Sequence, residues 1–346
     1  MNSARHCLTR QRNPRRSTPC QIADTTKRFS AAGKSISHSC VNLSALALLQ
    51  NDSGLAMYLD FLCRGTLPEL ETRFSVVSCT AACNEAVVAH NLEPVAAHLI
   101  CRAIGAAALL SPLLNDTERF TIRWEYPGVL NSIMADIGAD CDLRALINPA
   151  SIGEGVESLD KLFGEAGTVA VTKSDQPTGR VLASGTSEAV LHDVVEDLAH
   201  HFAVSDQLET ALAVLVQFAP DPARPVRQCY GIMLQAMPDC DLEQFDDLRK
   251  RLLAPEVRSI LEAGERDEDF ASEVLNALTH DLDCSCQLYP GPAPVYRCGC
   301  SHDSSVAMLQ TLPVAERDEI RSSGEAVRVR CHFCAKTYEI APGDVP

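Results

Sequence analysis

The sequence lacks any run of eighteen or more consecutive apolar residues, which counts against a membrane-spanning helix. Its most apolar stretch, residues 99–114, is interrupted by Arg102 and Pro112 and instead predicts a buried helix of a globular core. Also missing are the patterns of a Ser-His-Asp triad, a catalytic carboxylate pair and a nucleotide-binding loop. The GEAG segment at 164–167 has no lysine and no strand-loop-helix context, so it is predicted to be a turn. We therefore expect neither a membrane protein nor an enzyme.

An excess of positive charge is also absent. The 346 residues include 30 basic and 46 acidic side chains, which gives a formal net charge of −16. Residues 1–34 hold eight of the basic residues and a single acidic one, so the rest of the chain carries a charge of −23. Such acidity opposes binding to a phosphate backbone, and nucleic acid is not an expected partner.

The basic N-terminal segment, residues 1–45, is predicted to be a disordered extension. Its arginine and serine content also fits a transit peptide, which would place the protein in an organelle. No apolar segment of the kind that a secretory signal needs follows it. The expected location is the cytoplasm, with an organelle as the alternative.

Sixteen cysteines are present, but most are scattered singly along a large chain. A reducing compartment is expected, in which clustered cysteines serve as metal ligands or redox thiols. Cys79 and Cys83 lie at a predicted strand-to-helix junction and are expected to be buried. The isolated cysteines are predicted to be small apolar residues, buried or half-buried; these are Cys40, Cys63, Cys101, Cys141, Cys229 and Cys240.

Residues 46–238 are predicted to form an α+β domain, because strands and helices do not alternate regularly. Apolar helical spacing favours a helix over 80–114, and Ser187 is expected to cap another helix. His200 and His201 on that helix are expected at the surface. Strands are predicted at 54–62, 73–79, 119–126, 129–137, 141–147, 167–173 and 179–185, with a further apolar pair at 208–218 and 229–238.

Residues 239–294 are predicted to form a helical linker of low stability. Within it, residues 241–284 hold thirteen acidic and five basic side chains, which suggests little apolar surface per residue. The segment 287–294, with three prolines, is expected to be the boundary before the last module.

The last module, residues 295–346, contains four cysteines in the pattern C-x-C-x30-C-x2-C. Four thiolates suit a tetrahedral Zn²⁺ ion, so Cys298, Cys300, Cys331 and Cys334 are the predicted ligands. Helices and a final strand pair are expected around them. A second C-x-C pair, Cys284 and Cys286 near His280, is an alternative source of ligands. A static zinc ribbon and a redox switch both remain open, although a C-x-C pair can close a labile disulfide.

The sequence around this quartet resembles the 33 kDa chaperonin family, the redox-regulated holdases of the heat-shock response. The aromatic-Arg-Cys-Gly-Cys-Ser opening and the Cys-x-x-Cys-x-x-x-Tyr close are the most specific features. The resemblance extends back through GEAGTVAVTK (164–173), HHFAVSDQLET (200–210) and GIMLQAMP (231–238), and covers residues 50–342.

This resemblance implies a stress-response chaperone that works without ATP. In the reduced state the four cysteines would hold one zinc ion and the chaperone would be inactive. Oxidation under unfolding conditions would form the disulfides Cys298–Cys300 and Cys331–Cys334 and release the zinc. The linker would then unfold, and the domain at 46–238 would dimerise and bind unfolding client proteins. The alternative is a constitutive zinc-ribbon protein that binds nucleic acid or a protein partner.

Overall fold

Two large β-sheets frame the fold in the computed structural model, which describes residues 60–153, 156–263 and 270–346. The predicted extension at 1–45, with Cys40, lies outside the described residues. The strands are β1 (Phe61–Leu67), β2 (Thr72–Ser78), β3 (Glu118–Glu125), β4 (Ser132–Gly138), β5 (Asp142–Asn148), β6 (Gly167–Asp175), β7 (Arg180–Ala189), β8 (Thr210–Phe218), β9 (Val226–Ala236), β10 (Gln287–Gly291), β11 (Val295–Tyr296), β12 (Val327–Arg330) and β13 (Thr337–Ile340).

Helices pack against these sheets in an order that follows no regular β-α alternation, which confirms the α+β prediction. They are α1 (Thr80–His90), α2 (Pro94–Ala108), α3 (Leu159–Phe163), α4 (Val194–Ser205), α5 (Leu242–Leu252), α6 (Pro255–Ala263), α7 (Phe270–Thr279), α8 (His302–Leu309) and α9 (Val314–Ser323).

The first sheet has the order β10-β1-β2-β9-β8, with antiparallel neighbours throughout. The second has the order β11-β5-β4-β3-β6-β7, in which only β11 runs parallel to its neighbour. The strands predicted at 119–126, 129–137 and 141–147 form the antiparallel meander β3-β4-β5, and those predicted at 167–173 and 179–185 form the hairpin β6-β7. The strand expected at 54–62 lies mostly outside the described residues, and the first described strand begins at Phe61.

Helix α2 is the buried helix that its apolar sequence predicts. The stretch Pro94–Leu113 is long and apolar enough to cross a membrane, but 78% of its most apolar window is buried inside the protein. Alanine and glycine let the helix approach its neighbours closely: a Cβ added at Gly105 would lie 2.7 Å from Val214 Cγ1. The helix therefore forms part of the main core, together with α1, α4 and the inner faces of both sheets.

The prediction that Ser187 caps a helix is wrong, because β7 continues through it to Ala189. The cap is Asp193, whose carboxylate accepts hydrogen bonds from the backbone N–H groups of Val195 and Glu196 at the start of α4. The surface prediction for His201 is also wrong. Its ring is buried, and Nδ1 lies 3.0 Å from the hydroxyl of Ser187. His200 is half-buried.

The segment predicted to be a linker is helical, but its expected lack of apolar surface is wrong. Helices α5, α6 and α7 each direct a buried apolar stripe at i, i+3 and i+4 spacing onto the first sheet. Together with residues of β1, β2 and β9 they form a second core, to which the helices contribute Phe245, Leu248, Leu252, Val257, Leu261, Phe270, Ala271, Val274, Leu275 and Leu278. The acidic residues of this segment that the structure describes lie mainly on the opposite, exposed faces.

Within the segment 287–294, predicted to be the boundary before the last module, residues Gln287–Gly291 form β10. This strand pairs antiparallel with β1, with Pro290 opposite Cys63. Proline is tolerated there because β10 is an edge strand, where a missing N–H breaks no inner ladder. The first sheet is thus covered on one face by the main core and on the other by helices α5 to α7, and β9 is buried at ten of its eleven positions.

The C-terminal module contains the predicted helices and strand pair. Strand β12 pairs antiparallel with β13, and α8 and α9 precede them in the chain. Its core cluster holds only four buried side chains, those of Leu309, Val329, Ile340 and Val345. So small a core contributes little folding free energy by itself.

Candidate metal centre

The four cysteines of the C-terminal module converge on one point. The Sγ atoms of Cys298, Cys300, Cys331 and Cys334 all lie within 4.8 Å of one another. The shortest separations are 3.6 Å for Cys298 to Cys331 and 3.3 Å for Cys300 to Cys334. Four sulfurs bound to zinc at about 2.3 Å in a tetrahedron lie about 3.8 Å apart, so the quartet fits this ion without rearrangement.

Two short segments present these sulfurs. Cys298 and Cys300 follow β11, whereas Cys331 and Cys334 lie in the turn that joins β12 to β13. The backbone N–H of Ala335 donates to Cys331 O at 3.0 Å, and the N–H of Cys331 donates to Lys336 O at 2.9 Å. Ala335 adopts a left-handed conformation with φ of 58°, which closes the turn tightly. The turn thus places both sulfurs on the side that faces the C-x-C segment.

The thiols of the quartet differ in acidity. Although burial opposes ionisation, hydrogen bonds from Tyr338 and from the neighbouring thiols lower the pKa of Cys300 to about 7. The Tyr338 hydroxyl lies 3.2 Å from Cys300 Sγ. Burial raises the pKa of Cys334 to about 12 and raises that of Cys298. One thiolate thus forms readily, and a bound divalent cation would stabilise the others in the same form.

The quartet is fixed to the body of the protein through the turn residue Phe333. The guanidinium of Arg144 on β5 lies 4.1 Å from the centre of the Phe333 ring. The backbone oxygen of Phe333 accepts a hydrogen bond from the hydroxyl of Tyr296 and lies 2.7 Å from Nε2 of His90. The Tyr296 hydroxyl also lies 3.0 Å from Ala145 O. Sequence patterns did not reveal this contact, because its members come from four separate segments.

The second C-x-C pair lies elsewhere. Ser285, between Cys284 and Cys286, donates from its backbone N–H to a carboxylate oxygen of Glu69 at 2.8 Å. Among the described residues, neither cysteine belongs to a group of three or more side chains close enough to share a metal ion, and His280 belongs to none either. The structure therefore does not support this pair as an alternative source of ligands.

The predictions for the remaining cysteines are confirmed where they are described. Cys63, Cys101, Cys141 and Cys229 are buried and Cys240 is half-buried. Cys79 and Cys83 are buried too, and their sulfurs lie close to that of Cys229. The GEAG segment joins α3 to β6, with Gly164 at a φ of 81°, so its prediction as a turn rather than a phosphate-binding loop also holds.

Removing the Tyr296 hydroxyl tests the contact between the quartet and the body. In Tyr296→Phe the backbone oxygens of Ala145 and Phe333 lose a buried donor, which costs about 1–3 kcal/mol. We expect faster hydrogen exchange in β11 and the 331–336 turn, with zinc stoichiometry unchanged. Tyr289→Phe, on an exposed edge residue, is the matched control. Equal exchange rates in Tyr296→Phe and the unaltered protein would show that this hydroxyl does not hold the module.

Comparisons with known proteins place this arrangement in a family. The family model described as Hsp33 protein matches residues 60–341. The 33 kDa chaperonins of Bacillus mycoides and Bacillus cytotoxicus are 27% and 26% identical over 292 residues, which cover 83% of this chain and 97% of each relative. The crystal structure of the 33 kDa chaperonin from Thermotoga maritima superposes with a TM-score of 0.70 at 22% identity, and covers 83% of this chain and 97% of that one. The chain therefore belongs to the Hsp33 family of chaperones.

Proposed function

We propose that this protein is a redox-regulated, ATP-independent holdase that is inactive when reduced and zinc-bound. The observation that carries this proposal is the cysteine quartet, whose four sulfurs lie within 4.8 Å of one another in a module with a very small core. Loss of the metal from such a module removes most of what keeps it folded.

In the reduced state Cys298, Cys300, Cys331 and Cys334 hold one Zn²⁺ ion as thiolates. A peroxide then oxidises two pairs of them. For each disulfide, two thiolates lose two electrons, the O–O bond of hydrogen peroxide breaks, and two protons from solvent complete two molecules of water. A disulfide sulfur is a poor zinc ligand, so the oxidised cysteines would no longer hold the ion.

We assign the disulfides to Cys298–Cys300 and Cys331–Cys334. The shortest Sγ separations in the intact centre join the two segments instead, Cys298 to Cys331 and Cys300 to Cys334. Once the centre opens, however, only the partners within one segment stay close, because one or two residues tether them. The C-x-C disulfide is strained and hence easily reduced, which suits a reversible switch.

The domain division extends this mechanism to the rest of the chain. Residues 46–238 are the client-binding and dimerisation domain, 239–294 the metastable linker and 295–346 the zinc-binding switch, preceded by the extension at 1–45. The linker helices cover an apolar face of the first sheet that includes Phe74, Val76 and Ile232. When the module unfolds and the linker is released, that face becomes available to the apolar segments of unfolding clients.

The partners and the location of the protein follow from the proposed mechanism. Unfolded or oxidatively damaged proteins are the clients, the active form is a homodimer, and neither nucleic acid nor membrane takes part. We place the protein in the cytoplasm, with an organelle as the alternative if residues 1–45 act as a transit peptide. No catalytic activity is assigned.

Zinc release and client protection, measured in the same sample, test the proposal. Reduced full-length protein is treated with hydrogen peroxide under mild heating, zinc is followed with a metallochromic dye, and aggregation of a heat-sensitive enzyme is followed by light scattering. We expect about one zinc ion per chain to leave, with suppression of aggregation gained in parallel and reversed by a dithiol. Retained zinc and no gain in protection would favour a constitutive zinc ribbon instead.

A further inference from the structure

A second group of cysteines lies in the main core, away from the C-terminal quartet. Cys79 precedes α1, Cys83 lies on its first turn, and Cys229 lies on β9. The Sγ atoms of Cys79 and Cys229 are 3.4 Å apart, those of Cys79 and Cys83 are 3.9 Å apart, and all three lie within 4.8 Å of one another. Each of these residues has 0% of its surface exposed.

The backbone holds this group in place. The N–H of Cys79 donates to Cys229 O at 3.0 Å, and the N–H of Cys229 donates to the hydroxyl of Thr80 at 3.0 Å. The i, i+4 spacing of Cys79 and Cys83 puts both sulfurs on one side of α1. The three sulfurs are therefore brought together by a helix start and a central strand, which are rigid elements.

The electrostatics of the group differ from those of an isolated buried cysteine. Burial raises the pKa of Cys63, elsewhere in the core, to about 11. In the group, hydrogen bonds from Cys79 and Cys83 lower the pKa of Cys229 against the effect of burial. The Sγ atoms of Cys79 and Cys229 lie 3.4 Å apart, so these thiols already contact one another in an apolar setting.

The donor set decides which ligand fits. Among the described residues, no carboxylate oxygen or imidazole nitrogen lies close enough to join these three sulfurs. Thiolates bind both Cu(I) and zinc, but structural zinc is almost always four-coordinate, so a set of three sulfurs favours Cu(I). In a trigonal site with metal–sulfur bonds of about 2.3 Å the sulfurs lie about 4 Å apart, close to the separations here.

We propose that Cys79, Cys83 and Cys229 form a second, buried site that binds one soft monovalent cation of the Cu(I) class. Binding breaks S–H bonds and forms S–metal bonds; the displaced protons pass to solvent, and no atom changes oxidation state. Because the sulfurs are sealed from water, the cation enters as the chain folds. This site is independent of the chaperone switch.

Copper retention in full-length single variants tests this site. The unaltered protein, Cys229→Ala and Cys79→Ala are refolded anaerobically with Cu(I) and then dialysed against a Cu(I) chelator. The C-terminal quartet contributes equally in all of them, so the difference reports the buried group. We expect the unaltered protein to retain about one copper ion per chain more than either variant. Cys63→Ala, which truncates a buried cysteine outside the group, is the control and is expected to retain as much as the unaltered protein.

Two further measurements keep the test decisive. The X-ray absorption signal of copper in the C-terminal quartet is subtracted from that of the copper-loaded protein, and the remaining signal should show three sulfur neighbours. In addition, Cu(I) should raise the unfolding midpoint of Cys63→Ala but not of Cys83→Ala. Equal copper retention in Cys229→Ala and the unaltered protein would overturn the proposal. So would recovery of a Cys79–Cys229 disulfide with no extra copper, since the group would then be a thiol pair and not a metal site.

Discussion

Replacing Cys331 with serine is expected to weaken zinc binding about 100-fold and to unfold the C-terminal module while the main core stays folded. A serine hydroxyl does not ionise near neutral pH, so three thiolates remain. If about 10–16 kcal/mol of zinc binding is shared by four ligands, one ligand contributes about 3 kcal/mol, or a loss of about 100-fold in affinity. The module has only four buried apolar residues to offset this loss.

Two measurements check this expectation. Zinc affinity is obtained by competition with a chelator, and hydrogen exchange reports on residues 298–340 and on the strands of the body. We expect exchange in the module to approach that of an unfolded chain and exchange in helices α5 to α7 to rise, with β3 in the main core unaffected. The matched control is Cys286→Ser, which alters an exposed cysteine of the other C-x-C pair and is expected to bind zinc normally. Full stoichiometry and unaltered affinity in Cys331→Ser would mean that the ligands are misassigned.

The sequence alone predicted the quartet, because metal ligands of one type at short spacing are a local signal that does not depend on the rest of the fold. The meander, the hairpin and the buried helix α2 were also predictable from the period of their apolar residues. The cap at Asp193 was not, because Ser187 offered the same local chemistry and only the pairing of β7 with β6 excludes it.

The apolar faces of the linker helices escaped prediction for a related reason. Thirteen acidic residues in 241–284 dominate the average composition, but stability depends on which face they occupy. The contacts of Phe333 with Tyr296, His90 and Arg144 could not be predicted either, because long-range contacts between separate segments leave no periodic pattern in the sequence. The metal ligands were therefore predictable from the sequence, whereas the apolar faces of the linker helices and the contacts of Phe333 were not.

The packing of the linker helices against the first sheet leads to the second prediction with a large expected effect. Phe270 begins α7 with 2% of its surface exposed, and its ring centre lies 4.8 Å from that of Tyr230 on β9 and 6.1 Å from that of Phe61 on β1. It joins the linker to two strands of the first sheet. Truncating such a side chain costs about 3–5 kcal/mol, which is a large share of the stability of a short helical segment.

Phe270→Ala is therefore expected to release the linker without any oxidant. The reduced, zinc-loaded variant should suppress aggregation of a heat-sensitive client, whereas the reduced unaltered protein is not expected to do so. Hydrogen exchange should show loss of protection in α5 to α7 while zinc stoichiometry stays the same. Because the quartet is intact, the result separates the role of the linker from the role of the metal.

The matched control is Leu253→Ala, which removes a linker side chain that is 65% exposed and is expected to leave both exchange and client protection unchanged. Should Phe270→Ala fail to fold, Val257→Ala removes a smaller buried contact of α6 and is expected to give the same activation to a lesser degree. If the linker loses its protection and the reduced variant still fails to hold the client, the face under the linker is not the client-binding surface.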